Sequence, residues 1–222
     1  LGDAQNHHPK VGRYDAIYAG YSKSWRETSS SGGMGTFIFE MLFKANLIDY
    51  IITVGPVESS DNHYHYRIVR SVEELLTTSK TRYYPVTLAD LLKQVRQLEG
   101  RVAISGVGCF IKAIRLAQSQ DPVLRNRIAF LVGIICGGLK SKFFTDYLAG
   151  RAGVDPDHYI HPEYRVKAPA STALDYSFSC YDVSHKALKQ VRMRDVGDMW
   201  GTGLFKANAC DFCDDVTTEL AD

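Results

Sequence analysis

Four cysteines carry the chemistry that this sequence offers: Cys109, Cys136 and a late Cys210-x-x-Cys213 inside the phrase ACDFCDDVTTELAD. Two lone thiols followed by one chelating pair do not make the even, closely spaced framework of a disulfide-stapled secreted domain. They suit a folded-up metal or iron–sulfur site better. The pair Cys210 and Cys213 is equally half of a zinc site, since zinc also takes four thiolates, but a second C-x-x-C is absent. Glycines flank both lone cysteines, in Gly106-Val107-Gly108-Cys109 and Cys136-Gly137-Gly138, and let backbone amides approach sulfur closely. Cys180 lies in the aromatic, alternating stretch YSFSCY and reads as a buried structural residue.

A second candidate is the run Ser29-Ser30-Ser31-Gly32-Gly33-Met34-Gly35-Thr36. It leads directly into a segment where Phe37, Ile38, Met41, Leu42 and Ala45 recur at helical spacing. The first-turn amides of such a helix, with its positive dipole end, make an anion site for a phosphate or pyrophosphate. Gly33 then reads as the point of closest approach, and Gly33→Asp is expected to block the anion while sparing the fold. The stretch GIICGGLKS resembles a phosphate-binding loop but has Leu139 where that loop needs Lys, so a P-loop nucleotidase is excluded. No G-x-S-x-G elbow occurs. The seven histidines lie in polar segments and read as solvated.

These residues need elements to position them. Residues 14–21, 49–54, 64–69, 102–105 and 128–135 read as strands, and 71–77, 88–98, 110–118 and 140–148 as helices, with Ser71 and Glu74 forming a capping box. Strands alternating with helices predict an α/β fold, a mainly parallel sheet flanked by helices. Cys109 and Cys136 fall just past the carboxyl ends of strands, where such sheets hold ligands. Residues 153–208 lose the alternation and read as a smaller irregular lobe leading into the C-x-x-C. The chain divides at about 12–87, an N-terminal region bearing the Ser/Gly run, and 88–222, bearing the cysteines.

Composition narrows the classes. With 222 residues, 45% of them hydrophobic, the chain can bury a core, and a net charge of +1 with both signs interspersed leaves no footprint for nucleic acid. The longest apolar runs fall well short of the roughly 20 residues that span a bilayer, and no transmembrane segment is expected. A reducing, cytoplasmic compartment is the default for such cysteine usage.

Taken together, the phrases SSSGGMGT, LIDYIITV, TSKTRYYPV, ISGVGCFIKAIRLA, LVGIICGGLKSKFF and ACDFCDDVTTELAD resemble, in order and spacing, the beta-subunit family of coenzyme F420-reducing hydrogenases and dehydrogenases, which includes 7-hydroxymethyl chlorophyll a reductases. The resemblance runs from about Gly12 to Asp222. It departs at Gly108, where the family usually has Pro before Cys, and at Thr81-Arg82, which separate Ser79-Lys80 from Tyr83. It implies FAD contacted by Ser31, Gly32, Gly33, Thr36, Ser79 and Lys80, and a 4Fe-4S cluster held by Cys109, Cys136, Cys210 and Cys213. Lys80 and Arg82 would supply positive charge near flavin. The implied activity is an oxidoreductase passing electrons between a small-molecule hydride donor or acceptor, with coenzyme F420 a candidate, FAD, the cluster, and a ferredoxin or partner redox subunit. No residue is singled out as a general acid. The alternatives from other classes are a structural zinc-binding interaction module and an electron-transfer subunit with no substrate of its own. The family pattern also continues beyond Asp222, so a longer product is expected.

Overall fold

The computed structural model of the chain describes residues 4–57, 62–168, 172, 174–198 and 201–222. A short hairpin opens the chain, β1 (Asn6–His8) with β2 (Gly12–Tyr14). Helix α1 (Met34–Lys44) leads to β3 (Tyr50–Pro56), which pairs antiparallel with β4 (Tyr64–Val69). After a 3-10 turn at Glu73–Thr78 come α2 (Leu91–Gln97), β5 (Val102–Val107), α3 (Gly108–Gln120), α4 (Pro122–Arg127) and β6 (Ile128–Ile134). The main sheet has the order β4-β3-β5-β6, with β3, β5 and β6 mutually parallel. Helix α5 (Lys142–Arg151) precedes a second, antiparallel sheet of β7 (Tyr159–Lys167), β8 (Tyr176–Asp182) and β9 (Ala187–Arg192). The fold class expected from sequence is the one observed.

Alternation along the parallel strands sorts the core into two layers. Ile52, Val102 and Ile104 face Val95, Ile111, Ile114 and Leu124 of the α2, α3 and α4 layer. Their neighbours Ile51 and Ala103 face the opposite side, where Trp25, Phe39 and Ile48 cover the sheet. A third cluster, built on Phe144, Leu148, Tyr164 and Phe178, joins α5 and the antiparallel sheet to Tyr64 on the edge strand β4.

Several expectations need correction. Residues 15–21 form no strand, and Ile17 and Tyr18 are exposed, because their alternation has no neighbouring strand to bury against. On α1 the buried aromatic is Phe39, whereas Ile38 and Met41 face outward. The helix expected at 71–77 is the 3-10 turn; Ser71 Oγ accepts from the Glu74 amide, and the Glu74 carboxylate accepts from Arg70 rather than from Ser71. Helix α2 starts three residues later than expected, and α5 two residues later, because Lys140 bridges to Lys206 instead. The segment 153–208 carries a three-stranded antiparallel sheet whose β7–β8 pairing slips register twice. Residues 169–171, 173, 199 and 200 of that segment lie outside the described residues, as do residues 1–3.

Candidate functional site

The parallel strands deliver the two lone cysteines to one edge of the sheet. β5 ends at Val107 and Cys109 sits in the first turn of α3; β6 ends at Ile134 and Cys136 follows two residues on. The C-x-x-C arrives from 70 or more residues away by a local splice. The Ser141 amide donates to the Phe205 carbonyl at 2.8 Å and the Ala207 amide to the Leu139 carbonyl at 2.9 Å, so residues 205–207 lie alongside 139–141. Gly138 makes that approach possible. Its φ of +136° suits glycine, and a Cβ there would meet Lys206 Cδ at 2.7 Å and come within 3.8 Å of Cys210 Cβ.

The other three thiols lie within charge range of Cys109. Cys109 and Cys136 have their thiol pKa raised, first by burial; Cys136, Cys210 and Cys213 add to the rise at Cys109, and Cys210 and Cys213 to that at Cys136. Two backbone amides already point at sulfur: Gly138 N–H to Cys136 Sγ at 3.4 Å and Leu139 N–H to Cys210 Sγ at 3.3 Å. No three His, Cys, Asp or Glu side chains among the described residues stand together in the geometry of a single bound ion. Cys180 is set apart: fully buried on β8, its thiol is pushed up to about 11, chiefly by burial, and it belongs to the antiparallel-sheet core.

The Ser/Gly run is a built turn rather than a linker. The Ser22 amide donates to Gly32 O at 2.8 Å, and Trp25 is buried beneath, its indole N–H donating to Glu40 at 2.5 Å. Gly33 caps α1 with φ +78°, and a Cβ there would lie 2.8 Å from the Trp25 carbonyl carbon. This corrects the expectation that Gly33→Asp would spare the fold: the glycine is required by Trp25's main chain whatever binds above it. No side chain caps α1, and its first turn holds no acid.

The two segments expected to touch flavin are brought together. The Thr81 amide donates to Ser30 Oγ at 3.0 Å, and Ser79 Oγ donates to the Thr28 carbonyl at 3.1 Å. Ser31 presents its carbonyl to Lys167, Thr36 is half-buried in the first turn of α1, and Lys80 lies 3.7 Å from Glu163. The turn also adjoins the thiol edge, since a Cβ on Gly35 would sit 3.8 Å from Ile134 Cδ1 at the end of β6. Tyr83, three residues beyond Lys80, hydrogen-bonds Arg165 and lies within charge range of Cys136; burial, the largest influence, raises its phenol pKa. Among the described residues four buried side-chain polar atoms have no hydrogen-bond partner: Ser29 Oγ, Arg82 Nε, Arg165 Nε and Asp215 Oδ2. An orphaned Ser29 hydroxyl four residues before an uncapped helix start fits an anionic, acceptor-rich guest.

Sequence reasoning missed Lys167, which donates to the Arg26 and Ser31 carbonyls with Arg26 and Arg165 in its charge range, because nothing local marks a β7 cation as facing a loop 130 residues earlier. It also placed all histidines in solvent. His63 is only 5% exposed, packed 4.8 Å from the Tyr159 ring, and burial lowers its pKa.

Comparison with known proteins adds the following. Residues 17–93 match the family described as coenzyme F420 hydrogenase/dehydrogenase, beta subunit N-term, and residues 99–222 match its C terminus. A coenzyme F420-dependent sulfite reductase of Methanocaldococcus jannaschii is 29% identical over 142 residues, covering 55% of this chain. The chain spans only 21% of that curated relative's length. Among solved structures, one from the F420-reducing [NiFe] hydrogenase complex of Methanosarcina barkeri superimposes with a TM-score of 0.69 at 20% identity, over 98% of this chain and 72% of that one. That likeness concerns the fold.

Proposed function

The chain belongs to the coenzyme F420 hydrogenase/dehydrogenase beta-subunit family, and from that premise we propose that it is an F420-linked oxidoreductase component holding FAD and one 4Fe-4S cluster. The observation that carries the reading is adjacency: the uncapped start of α1 meets Ile134, two residues before Cys136, and the other three thiols lie within charge range of Cys109. When bound, FAD supplies two-electron hydride exchange and the cluster one-electron transfer.

The chain's own residues have definite parts in this reading. Cys109, Cys136, Cys210 and Cys213 are the cluster ligands, and the Gly138 and Leu139 amides donate to sulfur, which favours the thiolate and tunes its charge. A cubane spreads four thiolates over four irons. Cys136, Cys210 and Cys213 all lie within charge range of Cys109, which supports a shared site. Ser31, Gly32, Gly33 and Thr36 form the phosphate turn, with Ser79 and Lys80 on its flank. Tyr83 packs edge-on against Phe144 and Tyr164, hydrogen-bonds Arg165 and lies within charge range of Cys136. Ile135 and Phe212 project as exposed apolar side chains beside the cysteines, and a ferredoxin or partner redox subunit would meet the chain there. Among the described residues no helix is long and apolar enough to cross a membrane.

The test is anaerobic mixing of the flavin-loaded chain with reduced coenzyme F420, followed by flavin absorbance. Bleaching in the parent and its loss on removing the Ser/Gly turn's ligand set support the reading. A flavin that binds but is never reduced by F420, while dithionite reduces it, would leave an electron-transfer subunit with no hydride substrate of its own.

A further inference from the structure

The cations around the Ser/Gly turn come from three separate parts of the chain. Arg26 precedes the turn, Lys80 lies on the segment that braces it, and Arg165 and Lys167 belong to β7 of the antiparallel sheet. Lys167 Nζ donates to the Arg26 carbonyl at 2.6 Å and to the Ser31 carbonyl at 2.9 Å. Its ammonium therefore has one of three protons left to give. Lys167 stands in the positive fields of Arg26, Arg165 and Lys80, with Glu27 opposing them; burial, then Arg26, lowers its pKa. Glu163 pairs with Lys80. Four positive side chains with two carboxylates leave an excess of like charge in one place, an arrangement that an anion would relieve.

The local backbone points the same way. The β7–β8 register slips twice, between Ile160 and Glu163 and between Glu163 and Val166, and Arg165 takes φ +55°. Such irregularities re-aim side chains at the margin of a sheet. The guanidinium of Arg165 lies over the Tyr176 ring at 5.0 Å, with its Nε buried and without an acceptor. On the turn itself Ser29 is 5% exposed and its Oγ has no partner, four residues before the Gly33 cap of the eleven-residue helix α1.

We propose that Arg165 and Lys167 of β7, with Arg26 and Lys80, complete a diphosphate-binding site at the Ser29–Thr36 turn, so that the antiparallel sheet supplies half of the site. The proposal rests on the flavin reading for the identity of the natural ligand, a dinucleotide whose diphosphate bridge sits at the turn. It adds that a dinucleotide is held more tightly than a mononucleotide, because two phosphoryl groups engage cations from both sheets.

The probe is inorganic pyrophosphate, titrated calorimetrically into the whole chain at fixed ionic strength, with orthophosphate as comparator. Pyrophosphate is expected to bind more tightly than orthophosphate, and Arg165→Gln and Lys167→Gln each to weaken it by about tenfold or more, the size of one charge-assisted hydrogen bond. Lys167→Arg keeps most of the affinity, and Lys93→Gln on the exposed face of α2 leaves it unchanged. Because Lys167→Gln also removes two bonds to the turn, Arg165→Gln and Lys80→Gln carry the test if that variant misfolds. Equal pyrophosphate affinity in Arg165→Gln and the parent, or a parent that prefers orthophosphate, overturns the proposal. A parallel FAD titration separates the two readings. Pyrophosphate bound as described with no FAD binding sinks the flavin assignment alone, and FAD bound equally by parent and Arg165→Gln sinks the β7 site alone.

Discussion

Replacing Gly33 by Ala should unfold the support of the turn rather than merely perturb a ligand. At φ +78° a residue with a Cβ meets strain of about 1–2 kcal/mol. The added carbon would also lie 2.8 Å from both the carbonyl carbon and the Cβ of Trp25, and 3.0 Å from its oxygen. None of these is the far end of a flexible side chain. Trp25 cannot retreat freely, since its amide bonds Ser22 Oγ at 3.2 Å and its indole bonds Glu40. Displacing it forfeits part of the ~3–5 kcal/mol that a buried Trp is worth, so the total comes to ~2–4 kcal/mol. Urea unfolding followed by tryptophan fluorescence reads this as a lowered midpoint. Gly20→Ala is the control, because no atom lies within 4 Å of its Cβ position. A Gly33→Ala midpoint indistinguishable from that of Gly20→Ala would refute the reasoning.

Other consequences follow from the same contacts. Gly138→Ala forces strain of about 1–3 kcal/mol and pushes the Lys206 stem, so iron content after anaerobic reconstitution should fall more than thermal stability does; retained iron would count against the splice that delivers Cys210. Cys180→Ala should cost about 1 kcal/mol by leaving a small cavity and keep full iron, as checked by calorimetry and iron analysis. Glu40 has its carboxyl pKa held below the ordinary 4.5, first by the Lys44 ammonium and then by the Trp25 indole. Its contribution to stability is therefore complete above pH 4.5 and lost as pH falls through the lowered folded value, and Glu40→Gln should flatten the acid limb of a melting-temperature profile measured from about pH 3 to 7.

Much of the parallel half was legible because its signals are local. Val102–Val107 and Ile128–Ile134 are short apolar runs, and both lone cysteines stand where such strands end. Helix α4 was missed although Asp121-Pro122 marks its start: Asp121 Oδ1 accepts from the Val123 and Leu124 amides, and Pro fits the first helical position. The antiparallel sheet was harder to see, since Pro162 interrupts β7, and two residues there, His161 and Arg165, take positive φ. The thiol pair Cys210 and Cys213 was visible as a motif, but its placement was not, because the 139–141 and 205–207 splice is made by backbone hydrogen bonds that no side-chain pattern records. The cations of β7 were invisible for the same reason: only the folded chain sets Lys167 against Ser31.

The central claim, that this one chain holds both a flavin and a cubane cluster, is tested most directly by anaerobic reconstitution followed by quantitation of flavin, iron and acid-labile sulfide per chain. One FAD with four irons and four sulfides, the metal content falling in each of Cys109→Ser, Cys136→Ser, Cys210→Ser and Cys213→Ser, is the predicted result. A colourless protein carrying zinc, without sulfide or flavin, would contradict the account.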